Sequence, residues 1–406
     1  MSDHPIVIVG AGQAGLQLAD SVRRGGYGGE LLLLGEEPNL PYQRPPLSKQ
    51  YLTDELDEER LLFRPEKFYA KKNIDIRINT AVDAINASEK LVTVGGATIP
   101  YSGLGLTTGA SVRRLPIPGA DGEGVVYLRT IEDARNIKSQ LSLKSRRVVA
   151  VGGGFIGLEV AAAARELGQS VTVVEAQERL MARVVAPQVS DYYLSLHEEH
   201  GVDVVLNAGV REIERLPDQS MNVALDDDRR IPADIVVVGI GSVPRTELAD
   251  AAGLACDNGI VVDEYAQTSD QNIVAAGDCT MHKNVRYDGS SRLESVQNAV
   301  DQAKIAAATL LGERKAYDQV PWFWSDQFEA KLQMVGTSMG HDRAVLRGSL
   351  EEHAFSNFYF QGEQLIGVDS VNRPGDHILS RKLIAAGVAV PEATITDIDG
   401  NLKALL

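Results

Sequence analysis

Cysteine is scarce in this sequence, which has only Cys256 and Cys279 among 406 residues. The two form no CxxC pair and no spacing typical of metal ligands. The seven histidines likewise show no HExxH pattern. We therefore expect two small buried thiols, no bound metal, and neither a disulfide framework nor an internal redox disulfide.

Basic charge and long apolar runs are also lacking. The chain carries 40 basic and 56 acidic residues, for a net charge of −16. Nucleic-acid binding without sequence preference requires a basic surface, so we expect no nucleic-acid partner. No apolar run approaches the ~20 residues that cross a bilayer, and residues 1–5 do not begin a secretory signal peptide. These absences predict a cytoplasmic protein without membrane contact. At roughly 100–200 residues per domain, the length predicts two or three domains.

Two segments of the chain, residues 6–15 and 148–157, repeat one pattern. Each has a β-branched run, then a G-x-G-x-x-G motif, then the start of a helical pattern. A second strand follows at 31–34 and at 171–174, and an acid comes next, Glu36 or Glu175. Dinucleotide-binding βαβ units have this order, with the acid about 20 residues beyond the last glycine.

The glycines of this motif have separate physical tasks. The first permits the tight turn from strand to helix, the second lets a pyrophosphate approach the backbone, and the third lets the helix pack closely on the strand. The helix start binds the phosphates through free N–H groups and its dipole, and the acid binds ribose hydroxyls. One copy would be weak evidence, but two complete copies predict two dinucleotides. The predicted cofactor-binding residues of the motifs are Gly10, Gly12, Ala14, Gly15, Gly152, Gly154, Phe155, Ile156 and Gly157.

Paired dinucleotide sites chiefly serve to bring a flavin and a nicotinamide together. We assign FAD to the first site and the nicotinamide cofactor to the second. Glu175 favours NADH over NADPH, because a carboxylate repels a 2′-phosphate; like charges about 4 Å apart cost roughly 1–4 kcal/mol. Arg179 and Arg183 follow just downstream. They could bind a phosphate or the pyrophosphate, or be surface charges of a helix.

Residues 40–49, read as LPYQRPPLSK, resemble the active-site segment of the oxygenase-coupled NADH-dependent FAD ferredoxin reductases. Further matching stretches are 108–110, 152–159, 239–241, 277–278, 294–299, 321–327 and 367–369. The resemblance implies an α/β fold with two Rossmann-like dinucleotide-binding domains, as in glutathione reductase, plus a C-terminal α+β domain. It implies an FAD-binding domain at 1–110 and 245–320, an NAD-binding domain at 111–244 and a C-terminal domain at 321–406.

The same resemblance implies three catalytic residues. Lys49 would lie near flavin N5 and stabilise negative charge on the reduced ring; otherwise it is an exposed lysine. Glu159 would pair with Lys49 or face the nicotinamide amide; otherwise it is a charge at a helix start, where the dipole favours it. Trp324 would cover one edge of the flavin and exclude water, whereas both Trp324 and Trp322 could simply pack in a core.

Other cofactor contacts follow by resemblance. Asp278 would hold the ribitol or pyrophosphate of FAD, Val296 would offer its backbone to the flavin pyrimidine, and Val82 would offer its backbone to adenine. A turn aspartate and two core valines are the alternatives. Arg129 resembles an FAD-contacting arginine, although a surface salt bridge is the alternative. The predicted set is completed by Glu36, Arg44, Lys49, Thr108, Gly109, Glu159, Glu175, Arg183, Gly241 and Trp324.

The predicted reaction passes a hydride from NADH to FAD, after which electrons leave singly. Flavoenzymes with an internal dithiol place cysteines in the segment after the first ribose strand, and residues 41–52 contain none. An external acceptor is therefore expected: a [2Fe–2S] ferredoxin that feeds a cytochrome P450 or a Rieske-type oxygenase. A basic docking patch would lie near Trp324, with Arg314 and Lys315 as candidates. The alternatives are an NADH oxidase and a redox-sensing interaction protein like apoptosis-inducing factor.

Overall fold

The computed structural model describes residues 4–284, 286 and 289–406. Contacts within the chain divide it into two compact units. The first unit consists of Met1–Gln43, Glu59–Ser111 and Val243–Pro321, and the second of Arg44–Glu58, Val112–Ser242 and Trp322–Leu406. The division into FAD-binding, NAD-binding and C-terminal domains concerns ligands and stays a prediction.

The first unit is built on a parallel five-stranded sheet. The three central strands of this sheet are buried along their whole length, as expected when helices cover both faces. In spatial order the five strands are Ile273–Ala275, Gly103–Leu106, Ile6–Val9, Leu31–Leu34 and Asp75–Arg77. The apolar faces of the helices Gln13–Arg24 and Val296–Leu310 share one core with this sheet. The first predicted strand, Ile6–Val9, lies at the centre, between Gly103–Leu106 and Leu31–Leu34.

Smaller elements complete the first unit. Two three-stranded sheets consist of Ala84–Asn86, Leu91–Val94 and Ala97–Pro100, and of Ile260–Val262, Thr280–Lys283 and Ser290–Ser291. Two short helices are Glu66–Lys71 and Glu247–Ala251. The chain passes between the units near the helix Glu58–Leu61 and the strands Ala110–Val112 and Ser242–Pro244.

The second unit repeats the parallel sheet. In spatial order its strands are Asp203–Val205, Ser170–Val174, Arg147–Val151, Ile235–Val238 and Val125–Tyr127. Its helices are Ile131–Leu141, Phe155–Glu166 and Pro187–Glu199, and a 3₁₀ helix spans Pro45–Ser48. An antiparallel sheet of Val210–Arg215, Met221–Leu225 and Arg230–Ala233 adjoins it. The strand of the second glycine motif is again central, so both motifs lie where the strand order reverses, at the carboxyl ends of the strands, as nucleotide sites do.

The C-terminal part of the second unit is an antiparallel sheet with helices beside it. In spatial order the strands are Trp322–Gln327, Ala330–Gly336, Gln364–Val371, Ala354–Gln361 and Arg343–Ser349. The helices are Pro374–Ala386 and Glu392–Thr396, followed by the 3₁₀ helix Leu402–Leu405. The predicted fold class is confirmed: two doubly wound parallel sheets and a C-terminal α+β part. Within the described part of the chain no helix is long and apolar enough to cross a membrane.

Candidate active site

The first glycine loop has no room for side chains at two of its glycines. Gly10 ends the central strand with a φ of +107°, and a Cβ there would lie 2.2 Å from the carbonyl oxygen of Thr107. A Cβ on Gly15 would lie 1.9 Å from the Gly10 oxygen. Both distances are impossible contacts, so the first and third glycines are required by the turn and by the close approach of helix to strand.

The middle glycine of this loop faces open space. A Cβ on Gly12 would meet no atom within 4 Å. Gly12 caps the helix Gln13–Arg24 without a side-chain hydrogen bond, and the first turn carries no acid. The N–H groups of this helix start are thus open to an anion. The loop fits the pyrophosphate of a dinucleotide, and Ala14 is buried beneath it, 3.1 Å from where a Cβ on Gly277 would lie.

Arg245, which sequence reasoning missed, contacts Glu36 and two other predicted cofactor-binding residues of the first site. Its guanidinium donates to the Glu36 carboxylate. Its backbone N–H donates to the Gly109 oxygen at 3.0 Å, and its carbonyl accepts from the Thr108 hydroxyl at 2.6 Å. Three predicted cofactor residues therefore share one partner at the carboxyl edge of the sheet.

The other predicted FAD contacts of this unit are spread over its loops. Val82 is half-buried beside one of the apolar cores. Asp278 follows Gly277 in the turn after the strand Ile273–Ala275, and Val296 begins the helix Val296–Leu310. Their roles toward FAD stay predictions.

The second glycine loop reproduces the geometry of the first. A Cβ on Gly157 would lie 2.1 Å from the Gly152 oxygen, and Gly152 has a φ of +105°. A Cβ on Gly154 would meet only the Gly239 oxygen, at 3.9 Å. Gly154 caps the helix Phe155–Glu166 without a side-chain bond, so this helix start is also open to a phosphate.

Glu175 is held over the second loop by backbone donors. Its Oε2 accepts from the Gly153 N–H at 2.6 Å and its Oε1 from the Gln177 N–H at 2.8 Å. Because both oxygens are bound, the half-buried carboxylate has one orientation at the end of the second strand. That is the position in which the sequence predicted a ribose-binding acid.

The two downstream arginines have different surroundings. Arg179 donates to the carbonyls of Ala182 at 2.6 Å and Val185 at 2.8 Å, so its guanidinium stabilises the loop in which it lies. Arg183 is exposed, and its Nη2 lies 3.5 Å from where a Cβ on Gly241 would be. The hypothesis that a phosphate binds here therefore rests on Arg183.

Lys49 and Glu159 form a buried ion pair within the second unit. Lys49 Nζ lies 2.7 Å from Glu159 Oε2, with 10% and 4% of the two side chains exposed. The Ser48 hydroxyl donates to the same Oε2 at 2.5 Å. The helix begins at Phe155, so Glu159 lies in its second turn. The interpretations of Lys49 as exposed and of Glu159 as a charge at the helix start are thus wrong.

A chain of buried polar side chains backs this ion pair, and sequence reasoning missed it. The Ser325 hydroxyl donates to Glu159 Oε1 at 2.6 Å, and Gln327 Nε2 donates to Ser325 Oγ at 3.1 Å. His197 Nε2 lies 2.9 Å from Gln327 Oε1. Burial lowers the pKa of His197 to about 4, so its ring is neutral at pH 7. The strand Trp322–Gln327 has three aromatic residues followed by three polar ones, so its sequence shows no alternation from which a buried Ser325 could have been predicted.

Aromatic residues of the same strand pack on both of its faces. Phe323 lies 4.7 Å from Phe155 between ring centroids, at the start of the second glycine helix. Trp322 and Trp324 lie 5.7 Å apart on the other face, and both are half-buried. The role of Trp324 at the flavin stays a prediction.

Arg44 and Arg129 are joined in the second unit. Arg44 Nη1 donates to the Arg129 carbonyl at 2.6 Å. Arg129 follows the strand Val125–Tyr127, directly before the capped helix Ile131–Leu141. The contact brings together two of the predicted FAD-binding arginines, whose ligands stay predictions.

Neither cysteine has the surroundings of a redox thiol. Cys279 is fully buried, and burial raises its pKa. Burial and a hydrogen bond with Asp250 raise the pKa of Cys256 to about 12. Both are free thiols. Because the thiolate is the reactive form, neither is suited to disulfide exchange. Among the residues described, no group of three or more His, Cys, Asp or Glu side chains could hold a metal ion.

Comparison with known proteins accounts for this architecture. Residues 4–303 match the family described as pyridine nucleotide-disulphide oxidoreductase, and residues 322–406 match the reductase C-terminal family. The chain belongs to the pyridine nucleotide-disulphide oxidoreductase family. Its relatives include proteins named rhodocoxin reductase, putidaredoxin reductase and ferredoxin–NAD(+) reductase component of a dioxygenase system, and they confirm the family resemblance predicted from the sequence.

Three similar proteins cover nearly the whole chain. Rhodocoxin reductase of Rhodococcus erythropolis is 48% identical over 399 residues, 98% of this chain and 93% of that protein. The ferredoxin–NAD(+) reductase component of the anthranilate 1,2-dioxygenase system of Burkholderia cepacia is 41% identical and covers 100% of both chains. A solved covalent complex of putidaredoxin reductase with putidaredoxin gives a TM-score of 0.95 at 42% identity, covering 100% of this chain and 98% of that one.

Proposed function

We propose that this protein is an FAD-dependent NADH:ferredoxin oxidoreductase. It takes a hydride from NADH and delivers single electrons to a [2Fe–2S] ferredoxin that feeds a cytochrome P450 or a Rieske-type oxygenase. The similar proteins support the assignment, because they are named as reductases of ferredoxins and of a dioxygenase system. A cytoplasmic location belongs to the same proposal.

One observation carries the choice of acceptor: the chain has two nucleotide-binding loops but no redox thiol. In a disulfide reductase, residues 41–52 would carry a cysteine beside the flavin. Here the same segment carries Lys49, in an ion pair with Glu159 at 2.7 Å. Bound FAD supplies the conversion of a two-electron donor into two single electrons, which a nicotinamide cannot perform. Without a dithiol in the chain, these electrons require an external carrier.

The residues of the chain bind the two nucleotides, orient them and shield the flavin from water. The two open helix starts after Gly12 and Gly154 bind pyrophosphates. Glu175 selects the ribose of NADH, and the Lys49 ammonium holds positive charge where the reduced flavin gains negative charge. Trp324 excludes water from the flavin edge.

The test is steady-state cytochrome c reduction by NADH, with and without small [2Fe–2S] ferredoxins from the same organism. We expect fast reduction only when a ferredoxin is added. If the ferredoxin has no effect and oxygen consumption follows NADH oxidation one for one, the NADH oxidase alternative holds instead. If NADH oxidation is slow with every acceptor, the redox-sensing alternative holds.

A further inference from the structure

The strand Trp322–Gln327 places one of its faces against the helices Phe155–Glu166 and Pro187–Glu199. Phe323, Ser325 and Gln327 lie on this face and contact Phe155, Glu159 and His197 respectively. All of these residues belong to the second unit. Ser325 and His197 have no exposed surface, and Gln327 has 1%. A fully buried hydrogen-bonded chain of this kind has a single arrangement, because each unmet donor would be costly.

The direction of every hydrogen bond in this chain follows from the Glu159 carboxylate. An ionised carboxylate only accepts, so the Ser325 hydroxyl must donate to it. Ser325 Oγ then accepts from the Gln327 amide nitrogen, which leaves the Gln327 oxygen facing His197. That oxygen also only accepts, so His197 carries its proton on Nε2. Nδ1 of His197 has no partner among the described residues.

The hydrogen bonds donated by His197, Gln327 and Ser325 therefore all run in the direction of Glu159. Its carboxylate receives the Ser48 hydroxyl at 2.5 Å and the Lys49 ammonium at 2.7 Å on one oxygen, and the Ser325 hydroxyl at 2.6 Å on the other. With both oxygens bound, the carboxylate cannot rotate, and Lys49 is held by a partner that cannot move. The strand that contributes Ser325 also contributes Trp324, one residue earlier and on the opposite face.

We propose that Ser325, Gln327 and His197 are positioning residues for hydride transfer, because they hold Glu159 and through it the Lys49 ammonium. The inference rests on the proposed function, in which Lys49 acts beside the flavin. None of the three touches the reacting atoms: Ser325 acts through Glu159, Gln327 through Ser325, and His197 through Gln327. The C-terminal strand thereby contributes to the first half-reaction.

The test measures the anaerobic reduction of the flavin by NADH in the holoenzyme, with stopped-flow spectroscopy as the method. The variants are Ser325→Ala, Ser325→Thr and the control Ser356→Ala. Ser356 is a matched control, because its buried hydroxyl lies in the same sheet and also donates to a buried carboxylate, Asp376 Oδ2 at 3.0 Å. Folding is followed by flavin content and thermal unfolding.

We expect S325A to lower the limiting rate of flavin reduction about tenfold, which corresponds to ~1.4 kcal/mol. The dissociation constant of NADH should stay nearly constant, because Ser325 does not touch the nucleotide. S325T keeps the hydroxyl and should recover the rate to within about threefold of the wild type. S356A should match the wild type.

Equal limiting rates for S325A and S356A would overturn the inference. If S325A does not retain FAD, the variant Gln327→Leu takes its place. Because Gln327 acts on Glu159 only through Ser325, we expect the limiting rate of flavin reduction to fall about threefold in this variant. An unchanged limiting rate would overturn the inference. Wild-type enzyme that NADH does not reduce would overturn the proposed function together with this inference. Wild-type reduction with unaffected variants would overturn the inference alone.

Discussion

Replacing Glu175 by alanine should weaken the preference for NADH over NADPH. The wild-type carboxylate lies at the end of the second strand, held by the N–H groups of Gly153 at 2.6 Å and Gln177 at 2.8 Å. If Glu175 binds the ribose as proposed, the 2′-phosphate of NADPH would lie next to this fixed negative charge. The substitution removes the repulsion and also frees the Gly153 N–H for an anion.

The size of the effect follows from Coulomb's law. Two charges about 4 Å apart repel by ~1 kcal/mol in water and ~4 kcal/mol near a protein surface with little water. Glu175 is half-buried, and two N–H donors already offset part of its charge, so the lower part of this range applies. We expect the ratio of kcat/KM for NADH to that for NADPH to fall about tenfold, which corresponds to ~1.4 kcal/mol.

The assay is steady-state reduction of ferricyanide with each nucleotide in turn. Glu178→Ala is the matched control, because Glu178 is an exposed acid in the same loop. It should leave the ratio unchanged. An unchanged ratio in E175A, or an equal change in E178A, would refute the specific role of Glu175 and leave only a general effect of negative charge.

Three further substitutions test other parts of the structure. Gly15→Ala should yield protein without bound FAD, measured as flavin absorbance after purification, because its Cβ would lie 1.9 Å from the Gly10 oxygen. Arg347→Ala should lower the unfolding free energy by about 3 kcal/mol and expose the C-terminus to proteolysis, since this buried guanidinium donates to five carbonyls between residues 394 and 400. Burial lowers the pKa of His282 to about 4, so its protonation favours the unfolded chain as the pH falls below 6.5. We therefore expect His282→Phe to lose less stability than the wild type between pH 7 and pH 5, as measured by urea titration.

Each of these predictions has its own contradictory outcome. A yellow Gly15→Ala protein would show that the loop tolerates a side chain. An Arg347→Ala protein with unchanged unfolding would mean that the carbonyls of the C-terminal segment find other partners. Equal pH dependence in wild type and His282→Phe would mean that His282 becomes charged in the folded protein or contributes nothing to acid unfolding.

Local sequence patterns predicted the two nucleotide-binding loops well. Gly10 and Gly152 have positive φ values at the turn, and Gly15 and Gly157 approach the oxygens of Gly10 and Gly152, five residues earlier, so these features of the motif have a local structural reason. The buried strands before each motif were equally evident, because parallel strands covered on both faces are continuous apolar runs.

Contacts between distant parts of the chain could not be predicted in the same way. Glu36 pairs with Arg245, 209 residues away, and one of the two hydroxyls that donate to Glu159 comes from Ser325, 166 residues away. No local pattern specifies which polar side chains meet in a core. The pairing of Glu159 with Lys49 was expected, but its burial could not be predicted from the local sequence, because burial in the second turn depends on the strand packed against that helix.

The central claim is that the reduced flavin of this protein delivers its electrons to a ferredoxin. The most direct measurement mixes NADH-reduced enzyme with oxidised [2Fe–2S] ferredoxin in a stopped-flow instrument and follows flavin reoxidation. The account predicts that reoxidation is complete well within a second, far faster than in air-saturated buffer alone. A reduced flavin that persists for minutes beside each ferredoxin of the organism would contradict it.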